Sequence, residues 1–112
     1  MTQSPIFSKT YDFVAWLIPL TLKFPRSQRF VMAGVLQQEA IRFQNLLIEA
    51  AHQDSPTARL VAADSELDKI RTHIRLCRDL QMISPGQYEH AAVMLVEVGR
   101  LLGGWKRKVA VG

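Results

Sequence analysis

One cysteine stands in the whole chain, so Cys77 can close no intramolecular disulfide and build no thiolate cage for zinc. That sparing use fits a reducing compartment. Ile74, Leu76 and Leu80 around it mark it as a small buried hydrophobe rather than a reactive thiol. No apolar run approaches the roughly 20 residues of a membrane span. The first residues, Met1-Thr2-Gln3-Ser4-Pro5, lack the basic stretch of a secretory leader, and Lys9 and Asp12 break up the apolar residues after them. A cytoplasmic protein without membrane contact is the expectation. No segment alternates with the two-residue period of a strand. No glycine-rich loop leads into Lys-Ser or Lys-Thr, so no phosphate cradle of that type is expected.

Metal and acid–base chemistry are equally thin. Of the three histidines, His52 stands at a helix end, where an imidazole suits unpaired carbonyls. His73 and His90 have no carboxylate or histidine one turn away in a ligand-like arrangement, and Glu89 and His90, being adjacent, face different ways. The inward Glu-x-x-His pattern of di-iron bundles is missing. The serines mostly stand where helices begin and are explained by capping. No catalytic constellation, metal site or cofactor is expected.

What the chain does have is apolar content, 48% across 112 residues, enough for one packed domain over 1–112. Turn and cap residues cluster at Lys23-Phe24-Pro25-Arg26-Ser27, Gln53-Asp54-Ser55-Pro56 and Met82-Ile83-Ser84-Pro85-Gly86. In the last two, Ser-Pro supplies an N-cap and a proline at the first helical position. Gln87, three residues after Ser84, completes a capping-box pattern. Helices are expected over about 5–23, 27–52, 56–82 and 85–102, with a short basic tail after the last. Gly103-Gly104 is expected to stop the last helix, and Pro19 to kink the first.

Apolar spacing between the breaks is helical. Phe7, Tyr11, Val14, Ile18 and Leu22 form one seam; Leu60, Ala63, Leu67, Ile70, Ile74 and Cys77 a second; Tyr88, Ala91, Leu95, Val98 and Leu102 a third. The segment 27–52 is apolar over a wider arc through Phe30, Val31, Val35, Leu36, Ile41, Phe43, Leu47 and Ile48, and should touch more than one neighbour. Short loops between long helices force antiparallel neighbours, so the fold class is all-α, an antiparallel up-down-up-down four-helix bundle.

Charge carries the functional signal. Fourteen Lys and Arg against ten Asp and Glu give +4, which suits an acidic partner. Arg71, Arg75 and Arg78 share one helix face, with Asp64 and Asp68 at ion-pair spacing before Arg71 and Arg75. Lys23, Arg26 and Arg29 form a second cluster, and Lys106, Arg107 and Lys108, beside Trp105, a third. A solvated face and a phosphate-binding face are both open readings of the helical arginine stripe. Arginine's planar fork matches phosphate. Trp105 either stacks on a base or closes the end of the bundle. Val93, Met94 and Val96 are left over for a subunit contact.

Three stretches carry a family likeness: Tyr11-Asp12 through Trp16-Leu17-Ile18-Pro19 with Lys23-Phe24-Pro25-Arg26-Ser27-Gln28-Arg29-Phe30; Leu67-Asp68-Lys69-Ile70-Arg71 through Arg75-Leu76; and Gln87-Tyr88-Glu89-His90-Ala91 through Gly99-Arg100-Leu101-Leu102-Gly103-Gly104-Trp105. They resemble the accessory variability determinant, Avd, of diversity-generating retroelements. That group lies within the four-helix-bundle family that includes proteins encoded in 23S ribosomal RNA intervening sequences. The resemblance implies a homopentameric barrel of bundles with a positive surface. It also implies association with the retroelement's reverse transcriptase and with its template RNA, in support of error-prone cDNA synthesis, and no polymerase site of its own. Arg26 and Arg29 fall in a matching motif, and Arg71 and Arg75 in a matching basic stretch. Phosphate contact is expected for Arg71, Arg75 and Arg78. For Arg26 an ion pair that fixes the first loop competes with it. A structural adaptor that holds protein partners together, with incidental basicity, is the alternative function.

Overall fold

The computed structural model describes residues 4–111, all of them in helices and the turns between. The leader reading of Met1-Thr2-Gln3 and the outer limits of the 1–112 domain lie outside the described residues. Four long helices carry the fold: α1 (Pro5–Thr21), α2 (Gly34–Ala51), α3 (Thr57–Asp79) and α4 (Pro85–Val111). Ahead of α2, one α-helical turn, Arg26–Gln28, runs into a π-helical stretch, Arg29–Ala33. α1 packs on α2, α2 on α3 and α3 on α4, and α4 closes the ring against α1. Cross-contacts fix the directions: Gln37 donates to Thr21, Arg59 pairs with Glu49, and Phe7 meets Trp105 edge-on. The result is the expected up-down-up-down bundle, 47 Å along its long axis. No helix of the described residues is long and apolar enough to cross a membrane.

The core forms as the periodicity requires on α3 and α4, where Leu60, Ala63, Leu67, Ile70, Ile74, Cys77, Ala91, Leu95, Val98 and Leu102 are buried. On α1 the buried line is displaced. Ile6, Thr10, Phe13, Val14, Leu17 and Thr21 face inward, while Tyr11 and Leu22 are exposed. Two threonines therefore take positions that an apolar reading assigns to their bulky neighbours. Thr21 Oγ1 donates to the Ile18 carbonyl (2.7 Å) and accepts from Gln37 Nε2 (2.8 Å), which satisfies it inside the bundle. The wide arc of 27–52 is also narrower than expected. Leu36, Phe43 and Leu47 are buried, but Phe30 and Val31 stand in solvent on the π-helical stretch.

Helix ends differ from expectation for local reasons. α1 runs through Pro19 and ends at Thr21, so the proline sits in its last turn. α3 starts at Thr57 with Pro56 rather than Ser55 at the cap. It ends at Asp79, not at 82, because Gln81 turns to φ 59°. The Met82 amide then donates to the Cys77 carbonyl (2.8 Å) and the Gln81 amide to the Arg78 carbonyl (3.0 Å), a Schellman closure. The capping box at Ser84 is present in both directions: the Ser84 amide donates to Gln87 Oε1 (2.8 Å), and the Gln87 amide to Ser84 Oγ (3.1 Å).

The largest departure is at the C-terminal end. Gly103-Gly104 does not stop α4, which continues through the basic segment to Val111. Neither glycine takes a positive φ. Packing overrides their poor helix propensity: Leu101, Trp105 and Val109 rest on the core, and Lys106 reaches Asp64 of α3 at 2.9 Å.

Candidate nucleic-acid interface

Arg71, Arg75 and Arg78 emerge on one side of α3, along its seam with α4. Each is held differently. Arg71 pairs with Asp68 at 3.1 Å and lies across α4 at Gly99, where a Cβ would run into its guanidinium. Arg75 is exposed and has no ion-pair partner among the described residues. Arg78 pairs with Asp79 at 2.9 Å and lies over the Tyr88 ring, 4.4 Å from its centroid. Between the helices runs a groove of about 240 Å³ whose walls include Arg71, Arg75, Tyr88 and Ala92.

The other basic clusters do not join this face as one site. Lys23, Arg26 and Arg29 are exposed around the α1–α2 turn, at the end of the bundle nearer Arg78. Arg29 Nε donates to the Phe24 carbonyl at 3.3 Å, and Phe24 itself is buried. Arg29 thus fixes the first loop, while Arg26 is in no ion pair among the described residues. Lys106 and Arg107 lie at the opposite end. Lys106 is neutralised by Asp64, and Arg107 folds back beside Gly103 and Gly104. Trp105 packs edge-on to Phe7, centroids 5.9 Å apart, and closes that end of the bundle. Asp64 therefore serves a helix other than its own, not the arginine a turn or two later.

Sequence spacing missed three features. Tyr88, counted as a seam residue, is half-buried and forms a floor under Arg78; antiparallel pairing of the end of α3 with the start of α4 would have revealed it. Gly99 leaves the slot that Arg71 fills. His73 has no partner on its own helix, yet its Nδ1 meets Glu39 Oε1 of α2 at 2.7 Å. A second carboxylate, buried Glu66, takes Arg42 at 3.3 Å and Lys69 at 3.5 Å. Among the described residues, no three His, Cys, Asp or Glu side chains converge as a metal would need. Cys77 is fully buried, and burial pushes its thiol up to about 11, so it holds its proton and packs as a hydrophobe.

The arrangement is a groove whose lining joins two guanidinium groups to an aromatic side chain. No curated protein matches the chain. The bAvd-like family matches residues 5–109, nearly its whole length. The likeness carried by the Phe-Pro-Arg and Gly-Arg-Leu-Leu-Gly-Gly-Trp strings is thereby confirmed, and this protein belongs to the bAvd-like family, as an Avd-type protein.

Proposed function

We propose that the chain is a non-catalytic, cytoplasmic accessory subunit of a diversity-generating retroelement. It binds the reverse transcriptase and nucleic acid, template RNA and cDNA, and so supports mutagenic cDNA synthesis. Family membership supports the retroelement setting. The observation that carries the nucleic-acid reading is the exposed α3 face. There Arg75 has no ion-pair partner among the described residues, and Arg71 and Arg78 hold only solvent-facing aspartates. Such pairs contribute little and exchange readily for phosphate. Assembly as a homopentamer belongs to the same proposal. Val93, 66% exposed on α4, and half-buried Met94 beside it offer the apolar surface for a subunit contact. Five copies would repeat the arginine face around an axis and concentrate its field.

Fluorescence anisotropy with a labelled structured RNA, at low and moderate salt, tests this function. Wild type should bind at low salt and weaken as salt rises. Arg71→Ala/Arg75→Ala/Arg78→Ala should lose most of that affinity at unchanged helicity and oligomer size. Wild type that fails to bind at low salt would shift the function to a structural adaptor for protein partners, a reading favoured by exposed Phe30 and Val31.

A further inference from the structure

We infer that the α3–α4 groove is a subsite for single-stranded nucleic acid, with one unstacked base on Tyr88 and neighbouring phosphates on Arg71 and Arg75; this rests on the proposed nucleic-acid binding. Three observations carry it. First, the groove holds about 240 Å³, the scale of one nucleotide rather than of a duplex edge, and its lining joins two guanidinium groups to an aromatic side chain. Second, Arg71 and Arg75 are one helical turn apart, a rise of about 6 Å, which matches successive phosphates on one strand. Third, the Tyr88 ring already holds a flat cation, Arg78, at 4.4 Å.

A planar base takes the same ring face by displacing Arg78, which borders the groove rather than lining it. When it takes that place, the long stem of Arg78 lets the guanidinium swing from ring and Asp79 to a phosphate. One stacking contact replaces another, and the exposed Asp79 pair gives way to a phosphate contact. Bases inside a duplex expose only their edges, so the ring selects strands with bases free to splay out. Tyr88 is half-buried in the lining of the groove, whereas Arg75 is exposed.

The test uses the full chain and three probes of equal length: an unstructured single strand, the same strand with its bases removed at consecutive positions, and a duplex. Wild type should prefer the intact single strand to the duplex. Tyr88→Leu should weaken single-strand binding about ten-fold, in line with the loss of one base–aromatic stack, and leave duplex binding unchanged. Tyr88→Phe should restore it, and the base-free strand should bind wild type as weakly as the intact strand binds Tyr88→Leu. Circular dichroism checks folding; if Tyr88→Leu fails to fold, the Phe variant and the base-free probe decide alone. Equal wild-type affinity for intact and base-free strands would overturn the subsite while leaving phosphate binding in place. No binding to any probe would overturn both this inference and the function it rests on.

Discussion

At the scale of single residues, two threonines inside the bundle differ in how their hydroxyls are satisfied. Thr21 is buried and doubly bonded, whereas Thr10 Oγ1 is buried with no hydrogen-bond partner among the described residues. An unpaired buried hydroxyl costs about 1–3 kcal/mol, and valine has nearly the same shape. Thr10→Val should therefore raise stability by about 1 kcal/mol, seen by calorimetry as a Tm increase of about 4 °C. A lower Tm would mean that the hydroxyl has a partner in solution. Sequence cannot separate these two threonines, since each sits on α1 among apolar neighbours. What differs is that Thr21 turns its hydroxyl onto the Ile18 carbonyl and meets Gln37 of α2, and no pattern of residues within α1 announces either contact.

Among the elements, the inward faces of α3 and α4 were legible, whereas the inward face of α1, the lead-in to α2 and the end of α4 were not. Seams of Leu, Ile and Val at steps of three and four leave one choice of inward face, and α3 and α4 follow it. On α1, two apolar lines lie side by side, and periodicity alone cannot choose between Tyr11 and Phe13. The long-range packing of Trp105 on Phe7 likewise carries α4 past two glycines that read locally as a stop. The end of α3 shows a local cost that can be measured. Gln81 holds a left-handed conformation, at φ 59°, where a side chain is penalised by about 1–2 kcal/mol and glycine is not. Gln81→Gly should stabilise the protein by about 1 kcal/mol in urea denaturation, with an unchanged m value. Destabilisation would show that the glutamine side chain supports the turn in some other way.

For the whole molecule, the three basic clusters stand at separate places along a 47 Å body. Their contributions to binding should be unequal. On a single strand, each phosphate contact contributes about 0.7 to the slope of log affinity against log salt. The α3 triple variant should flatten that slope by about two, whereas Lys106→Ala should leave it unchanged, because Lys106 stands at the opposite end of the bundle from that face. An equal loss from both would mean that the entire surface acts as one diffuse field. The α2–α3 hairpin carries the remaining order. Along it, Glu49–Arg59, Arg42–Glu66 and Glu39–His73 cross in turn, with the acidic member on α2, then α3, then α2 again. If one helix slid a turn past the other, Glu66 would move opposite Glu39 and set two buried carboxylates against each other. The alternation therefore works against that slip, because each acid meets a basic partner only in the native register.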